Sequence, residues 1–214
     1  EEFSLHYQRS LFSSFTSLVR ETWQSIGKLN SEMPESLKAD IRSLSRETLL
    51  SQLKRIHSKK LDVQKSRIHG NYGLSHILFT GKDIILHDFS GNPTKAFTDR
   101  RLKRSPLRDA AAMIRSFYYV AYEGFLNTTH VQNGQVSELF PFADFWAHYV
   151  SGFFMKAYLE KIKGHHFVPE NQEDLEVMVQ TYVLENSLHY FNLELQQHPK
   201  RAIIPLRIIR TVVS

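Results

Sequence analysis

Between Ile77 and Phe89 the sequence ILFTGKDIILHDF alternates in hydrophobicity and is dense in Ile, Leu and Phe, whereas apolar residues elsewhere recur every three or four positions. An alternating stretch interrupted by TGKD predicts two short strands joined by a turn. One such hairpin cannot build a sheet domain, because an isolated pair of strands is marginal in water and must rest on something else. The fold class implied is mainly α with a small β-hairpin insertion.

The helical period is strongest in the first segment, where Phe3, Tyr7, Leu11, Phe15, Leu18, Thr22 and Ile26 line one face up to Gly27. This predicts a helix over 3–27. After Pro34, a residue suited to a first helical turn, Leu37, Ile41, Leu44, Leu50, Leu53 and Ile56 predict a second helix of similar length, an antiparallel neighbour of the first. Beyond Ser105-Pro106 the period returns through Leu107, Ala111, Ile114, Phe117, Tyr118, Ala121 and Phe125, closing around Asn127. Further helices are expected over 141–163 and 171–197, and the tail RAIIPLRIIRTVVS reads as a short final helix packed on the body. Phe117, Tyr118, Tyr119 and Tyr122 read as core at this spacing, and Asn127-Thr128-Thr129, which fits the glycosylation pattern, reads as an unused helix end.

With 214 residues, 42% hydrophobic and 23% charged, the chain is expected to form one domain: a helical pair over 1–66, loops and hairpin over 67–92, and a helical subdomain over 93–214. No run approaches the roughly 18 apolar residues that a membrane span needs, so no membrane partner is expected and a cytoplasmic location is predicted. The absence of cysteine removes disulfides, thiolate metal sites and cysteine nucleophiles. A net charge of +5 suits anionic ligands but lacks the dense basic tracts of a nucleic-acid binder. The cluster Arg100, Arg101, Lys103 and Arg104 reads as a solvated loop, with phosphate or partner contact as its alternative.

Ahead of the hairpin lies RIHGNYGLSH, and the hairpin returns to Asp88 at the end where Asn71 and His76 stand. Phosphoryl transfer needs a carboxylate beside the acceptor hydroxyl and oxygen ligands for magnesium on adjacent loops, and this is the layout of that chemistry. The residues HGNYGLSH, DFSGNP and above all RRLKRSPLRDAAAMIRSF (100–117) resemble three blocks of the maltokinases, including those fused to trehalose synthase. The maltokinases are aminoglycoside-phosphotransferase-like and choline-kinase-like enzymes, whose loops read H-G-D-[FY]-H-x-G-Q and D-F-E-G-E-P. LENSLHYFNLELQQHPKRAIIPLRIIR is similar to the family's closing helix and I-P-L-R tail. The resemblance implies the helical C-terminal lobe of a protein-kinase-like fold. It also implies phosphate transfer from ATP, with Mg, to maltose or a related α-glucoside.

The departures fall where that chemistry would occur. Asn71 stands at the base position, and its amide cannot accept a proton at neutral pH. Gly73 replaces the second His, and His76 stands where the family has a metal-binding Gln, an imidazole where magnesium prefers oxygen. Asp88 remains as the metal carboxylate, while Ser90 and Asn92 replace the two Glu residues. His69 is expected to satisfy a buried backbone group, and Arg108, Asp109 and Arg115 to form a structural ion pair or to orient the metal loop. Two helices precede the loop where the family has its nucleotide lobe. The chain is therefore expected to be part of a longer protein, or a pseudokinase lobe that docks an N-terminal kinase lobe or a trehalose-synthase-like domain.

Overall fold

The computed structural model describes residues 1–29, 33–126 and 136–213. Its helices are α1 (Leu5–Ile26), α2 (Glu35–Arg42), α3 (Arg46–Lys54), α4 (Phe97–Arg100), α5 (Leu107–Leu126), α6 (Phe140–Ile162), α7 (Gln172–Gln197) and α8 (Ile203–Val213). The strands β1 (Ile77–Phe79) and β2 (Ile84–Leu86) stand between α3 and α4. No described helix is long and apolar enough to cross a membrane. Asn127-Thr128-Thr129 lies outside the described residues. The chain forms two compact units: Glu1 with Gln64–Val168, and Glu2–Val63 with Pro169–Ser214.

In the second unit α7 packs against α1, α3 and α8. Phe3, Phe15, Ile41, Leu53, Tyr182, Leu188, Phe191 and Ile204 form its buried interior. Helix starts are set by local chemistry: Ser4 Oγ accepts from Tyr7 N–H (3.3 Å) and Asn171 Oδ1 from Asp174 N–H (3.1 Å), each satisfying an orphan donor of a first turn. Gln8 is fully buried and has no free amide atom. Its Nε2 donates to Ile56 O (2.6 Å) and Lys59 O (2.8 Å), and its Oε1 accepts from Leu61 N–H (3.2 Å), so one side chain fixes the chain where it leaves α3.

The expected single second helix is broken. Ser43 N–H closes α2 on Ala39 O, and Ser45 Oγ opens α3 by accepting from Thr48 N–H (3.2 Å). Serines bond to nearby backbone and so favour caps over helix interiors, and the five-position step from Leu44 to the next apolar residue, the buried Leu49, already departs from a helical period. Arg210 of α8 holds the end of α2, donating to Asp40 O (3.0 Å), Asp40 Oδ1 (2.9 Å) and Ser43 Oγ (2.9 Å).

In the first unit α5 packs with α6. Phe117, Tyr118, Tyr119 and Tyr122 are all buried there, as the aromatic spacing predicts. Tyr122 donates its hydroxyl proton to Asp144 Oδ1 (2.5 Å), and Phe117 meets Phe154 edge-on at 5.7 Å. The hairpin has the register Ile77↔Leu86, Leu78↔Ile85, Phe79↔Ile84. Its turn is closed by Thr80 N–H on Asp83 O (2.9 Å) and Asp83 N–H on Thr80 Oγ1 (3.0 Å), with Gly81 at φ +87°. Ahead of RIH an antiparallel bridge joins Ser66 to Arg104, and the backbone from His69 onward is held by a helix side chain.

Candidate functional site

Two loops of the first unit meet at their glycines. Gly70 (φ +78°) and Gly91 (φ +79°) both adopt the left-handed conformation, and a Cβ on Gly70 would stand 3.3 Å from Gly91 Cα. Only glycine permits both the backbone turn and this approach. The His-Gly-Asn loop and the Asp-Phe-Ser loop are thereby brought side by side.

Helix α5 fixes the first loop at two points. Asp109 Oδ2 accepts from His69 N–H (2.7 Å) and Oδ1 from Gly70 N–H (2.9 Å), while Ser116 Oγ accepts from Leu74 N–H (2.9 Å). Residues seven apart lie on one face of a helix, about 10.5 Å apart along its axis, and that span matches the loop they hold. Asp109, expected to form an ion pair or to orient the metal loop, accepts from these two backbone N–H groups, a clamp on the loop. Burial pushes the Asp109 carboxyl above the ordinary carboxylate range, and the N–H groups of Gly70 and His69 oppose that rise without cancelling it. Arg108 adds a favourable charge for Asp109, and the Arg115 guanidinium lies 5.3 Å over the Tyr119 ring.

His69 bridges the two loops. Its buried Nε2 lies 2.9 Å from His87 O, and Asn71 N–H lies 3.4 Å from its Nδ1. A carbonyl only accepts and a backbone N–H only donates, so both contacts assign the proton to Nε2 and leave Nδ1 as acceptor. The ring thereby ties the first loop to the strand leading into the second.

Asn71, His76 and Asp88 come together because the hairpin ladder continues past β1 and β2, His87 N–H donating to His76 O (3.1 Å). His76 Nε2 lies 3.5 Å from Asn71 Nδ2 and 3.5 Å from Asp88 Oδ2. Ser75 Oγ is 3.1 Å from the other ring nitrogen. Asp88 has φ 60°, the one non-glycine residue with positive φ among the described residues, a conformation that persists only where the surroundings impose it. Its Oδ1 accepts from Ser90 Oγ (2.6 Å) and Ser90 N–H (3.4 Å), and these two bonds hold the carboxyl below its ordinary range.

These donors do not fit a magnesium ion. They are one carboxylate, one imidazole and one amide, with Asp88 Oδ1 committed to Ser90 and Oδ2 facing His76, whereas magnesium demands an octahedron rich in oxygen. Among the described residues no group of three or more His, Asp or Glu could hold a metal.

Sequence reasoning missed Ser116 and Tyr158. Ser116 is signalled by its seven-residue separation from Asp109 on one helix. Tyr158 of α6 is pushed up to about 12 by burial first and then by the charges of Asp109 and Tyr72, so α6 delivers a neutral phenol beside the clamp. The basic cluster is partly committed to structure. Arg100 Nη1 donates to Ser90 O (3.3 Å), Arg101 lies 5.6 Å over the Phe97 ring and Lys103 meets Glu1 at 3.5 Å.

No protein-family model matches the chain. Among solved structures, glucosamine kinase in complex with glucosamine, ADP and inorganic phosphate is similar over 99% of this chain and 48% of its own, with a TM-score of 0.71 and 14% sequence identity. Two further crystal forms of glucosamine kinase give TM-scores of 0.71 at 14% identity, covering 98% and 100% of this chain and 47% and 48% of theirs. The likeness is one of fold: the chain shares the architecture of about half of the glucosamine kinase structure. This chain spans about half the length of each of these structures.

Proposed function

We propose that this chain is the acceptor-side lobe of a maltokinase-like sugar kinase of trehalose, maltose and α-glucan metabolism, and that its own phosphoryl-transfer chemistry is lost. The observation that carries this reading is the group Asn71, His76 and Asp88, held together by two loops that meet at Gly70 and Gly91. Asp109, Ser116, His69, Gly70 and Gly91 still build the turn that would aim a base at an acceptor hydroxyl, yet the aimed group is an amide. Losing a positioned base costs about 10² to 10⁴ in rate, and a donor set unsuited to magnesium adds to that loss.

In this reading Asn71 marks the base position, Asp88 and His76 the former metal positions, and Ser90 the lost supporting carboxylate. Arg108, Asp109 and Arg115 support the loop from α5. The glucosamine kinase structure binds a sugar and ADP, and for this chain a maltose-like sugar is the expected ligand. ATP would be held by a second lobe, no residue of this chain being assigned to it. The hairpin supports such a lobe: Leu78, Phe79, Ile84, Ile85 and Leu86 are all exposed, together with Phe89 and Phe97. A two-stranded sheet with apolar side chains open to solvent on both faces, beside the site, is a surface that a kinase lobe or a trehalose-synthase-like domain would cover.

Titration calorimetry with maltose, and separately with ATP plus magnesium, tests the reading. Heat with maltose but none with the nucleotide is expected. Absence of heat with any sugar removes the proposed ligand. Asn71→Asp combined with His76→Gln and Ser90→Glu, assayed in the presence of a nucleotide lobe, is expected to raise maltose phosphorylation by at least about 10²-fold. No gain would show that the acceptor pocket itself has changed.

A further inference from the structure

Helix α6 is built inside out. Its buried residues are the small Ala143, Ala147 and Ser151, while Phe142, Phe145, Trp146, Tyr149 and Phe153 are 45% to 72% exposed. An ordinary surface helix turns its large apolar side chains to the core and its polar ones to water. From Phe140 to Met155 the helix has only one charged residue, Asp144, and that residue accepts the Tyr122 hydroxyl on the α5 side. The outward face is therefore an unbroken aromatic stripe, closed beyond Phe153 by the exposed Lys156 and Glu160 as a polar rim.

The stripe is close to symmetric about its middle, an aromatic residue answering an aromatic one at two of three paired positions. Phe142 and Phe153, Phe145 and Val150, and Trp146 and Tyr149 are each equidistant from the point between Ala147 and His148. A two-fold interface must be self-complementary: whatever residue i meets on its partner, that residue meets i in return. Two antiparallel copies of α6 crossing at that point would set Trp146 against Tyr149 and Phe142 against Phe153, twice each. Gly152 lies at the flank of the stripe with open space where a Cβ would be, which lets a second helix approach closely.

The area is of the right size. Five aromatic side chains, each able to bury about 150–250 Å² and about three-fifths exposed, present roughly 600 Å². A standard interface takes about 800 Å² from each partner, and the rim residues supply the remainder. A patch this large and apolar is at the upper limit for a surface left to water.

We infer that α6 is a homodimerisation helix, pairing antiparallel with α6 of a second copy of this chain through Phe142, Trp146, Tyr149 and Phe153. The inference stands apart from the proposed sugar chemistry, because none of these residues belongs to the loops around Asn71.

The full chain should sediment as a dimer at tens of micromolar, and Trp146→Glu should sediment as a monomer with an unchanged circular dichroism spectrum. The register has its own test, since the chain has no cysteine of its own. Phe142→Cys and Phe153→Cys proteins, mixed and treated with a short bis-maleimide, should cross-link as a pair. Either alone should not, because each introduced thiol lies about 16 Å along the helix from its own copy. A wild-type chain that stays monomeric, including one whose Trp146 fluorescence is quenched by a malto-oligosaccharide instead, overturns the inference. So does a dimer indifferent to Trp146→Glu, or equal cross-linking of the single variants.

Discussion

Asp109 carries the geometry of the candidate site without lying at its chemical centre, and replacing it gives the sharpest test of that geometry. Its carboxylate satisfies two backbone donors, His69 N–H at 2.7 Å and Gly70 N–H at 2.9 Å. In Asp109→Ala both donors lose their acceptor in a part-buried loop, at about 1–3 kcal/mol each. Removing a buried carboxylate recovers part of that cost, since burial disfavours the charge. A net loss of about 2 kcal/mol at neutral pH is expected from urea unfolding, and about half that for Asp109→Asn, whose amide oxygen keeps one acceptor. Hydrogen exchange should show His69 and Gly70 losing protection while the α7 amides keep theirs. The sign with pH comes from the raised carboxyl. The folded protein holds this proton more tightly than the unfolded chain, so the contribution of Asp109 is fully present below the ordinary carboxylate value and falls as pH rises through the raised one. The difference between wild type and Asp109→Ala should therefore be larger near pH 3 than at neutral pH, a comparison that remains valid if the exposed carboxylates weaken both proteins in acid. A loss below about 0.5 kcal/mol, with exchange at 69 and 70 unaltered, would refute the clamp.

Gly70→Ala should cost about 2 kcal/mol or more in thermal or urea unfolding, because a left-handed φ and a backbone neighbour at 3.3 Å both oppose the new methyl. Gly81→Ala, with a similar φ but open space around it, should cost only about 1 kcal/mol. Gln8→Leu strands Ile56 O, Lys59 O and Leu61 N–H and should lower stability by about 3 kcal/mol; a neutral outcome would mean that these groups find other partners. Spectrophotometric titration should show an ionisation near 12 that disappears from the curve in Tyr158→Phe. The folded form holds that proton more tightly than the unfolded chain does, so this group's contribution to stability is present below about 10 and is lost as pH rises toward 12.

Much of the helical framework was legible because burial on one face imposes a period that residues such as Phe3, Leu11 and Phe15 display openly. The hairpin was legible for a different reason: its strands bury neither face, but they are dense in Ile, Leu and Phe and flank a turn whose Thr, Gly and Asp have definite local bonding. The break between α2 and α3 was less so: an apolar stripe spans it, and only the serines and the irregular gap after Leu44 report that the backbone leaves the helix. At the candidate site the sequence pointed to Asn71, His76 and Asp88 as neighbours, and the structure places them together through the glycine contact and the extended ladder. What supports them was not readable. Asp109 is a charged residue in the first turn of a helix, where solvation, an ion pair and a backbone clamp all look alike in a linear string.

By itself, then, the sequence determined the local choices: which segments coil, where a turn divides the two short strands, and which side chains carry protons or lack them. The amide at Asn71 and the aromatic repeat of α6 were written there in full. Only the tertiary structure decided what those residues meet. Helix α6 is apolar almost all round, so its period could not say which face is buried. Packing settled it by turning Ala143, Ala147 and Ser151 inward and leaving Phe142, Trp146, Tyr149 and Phe153 in water, since close approach of two helices selects small side chains, a choice that depends on the partner surface as much as on the helix.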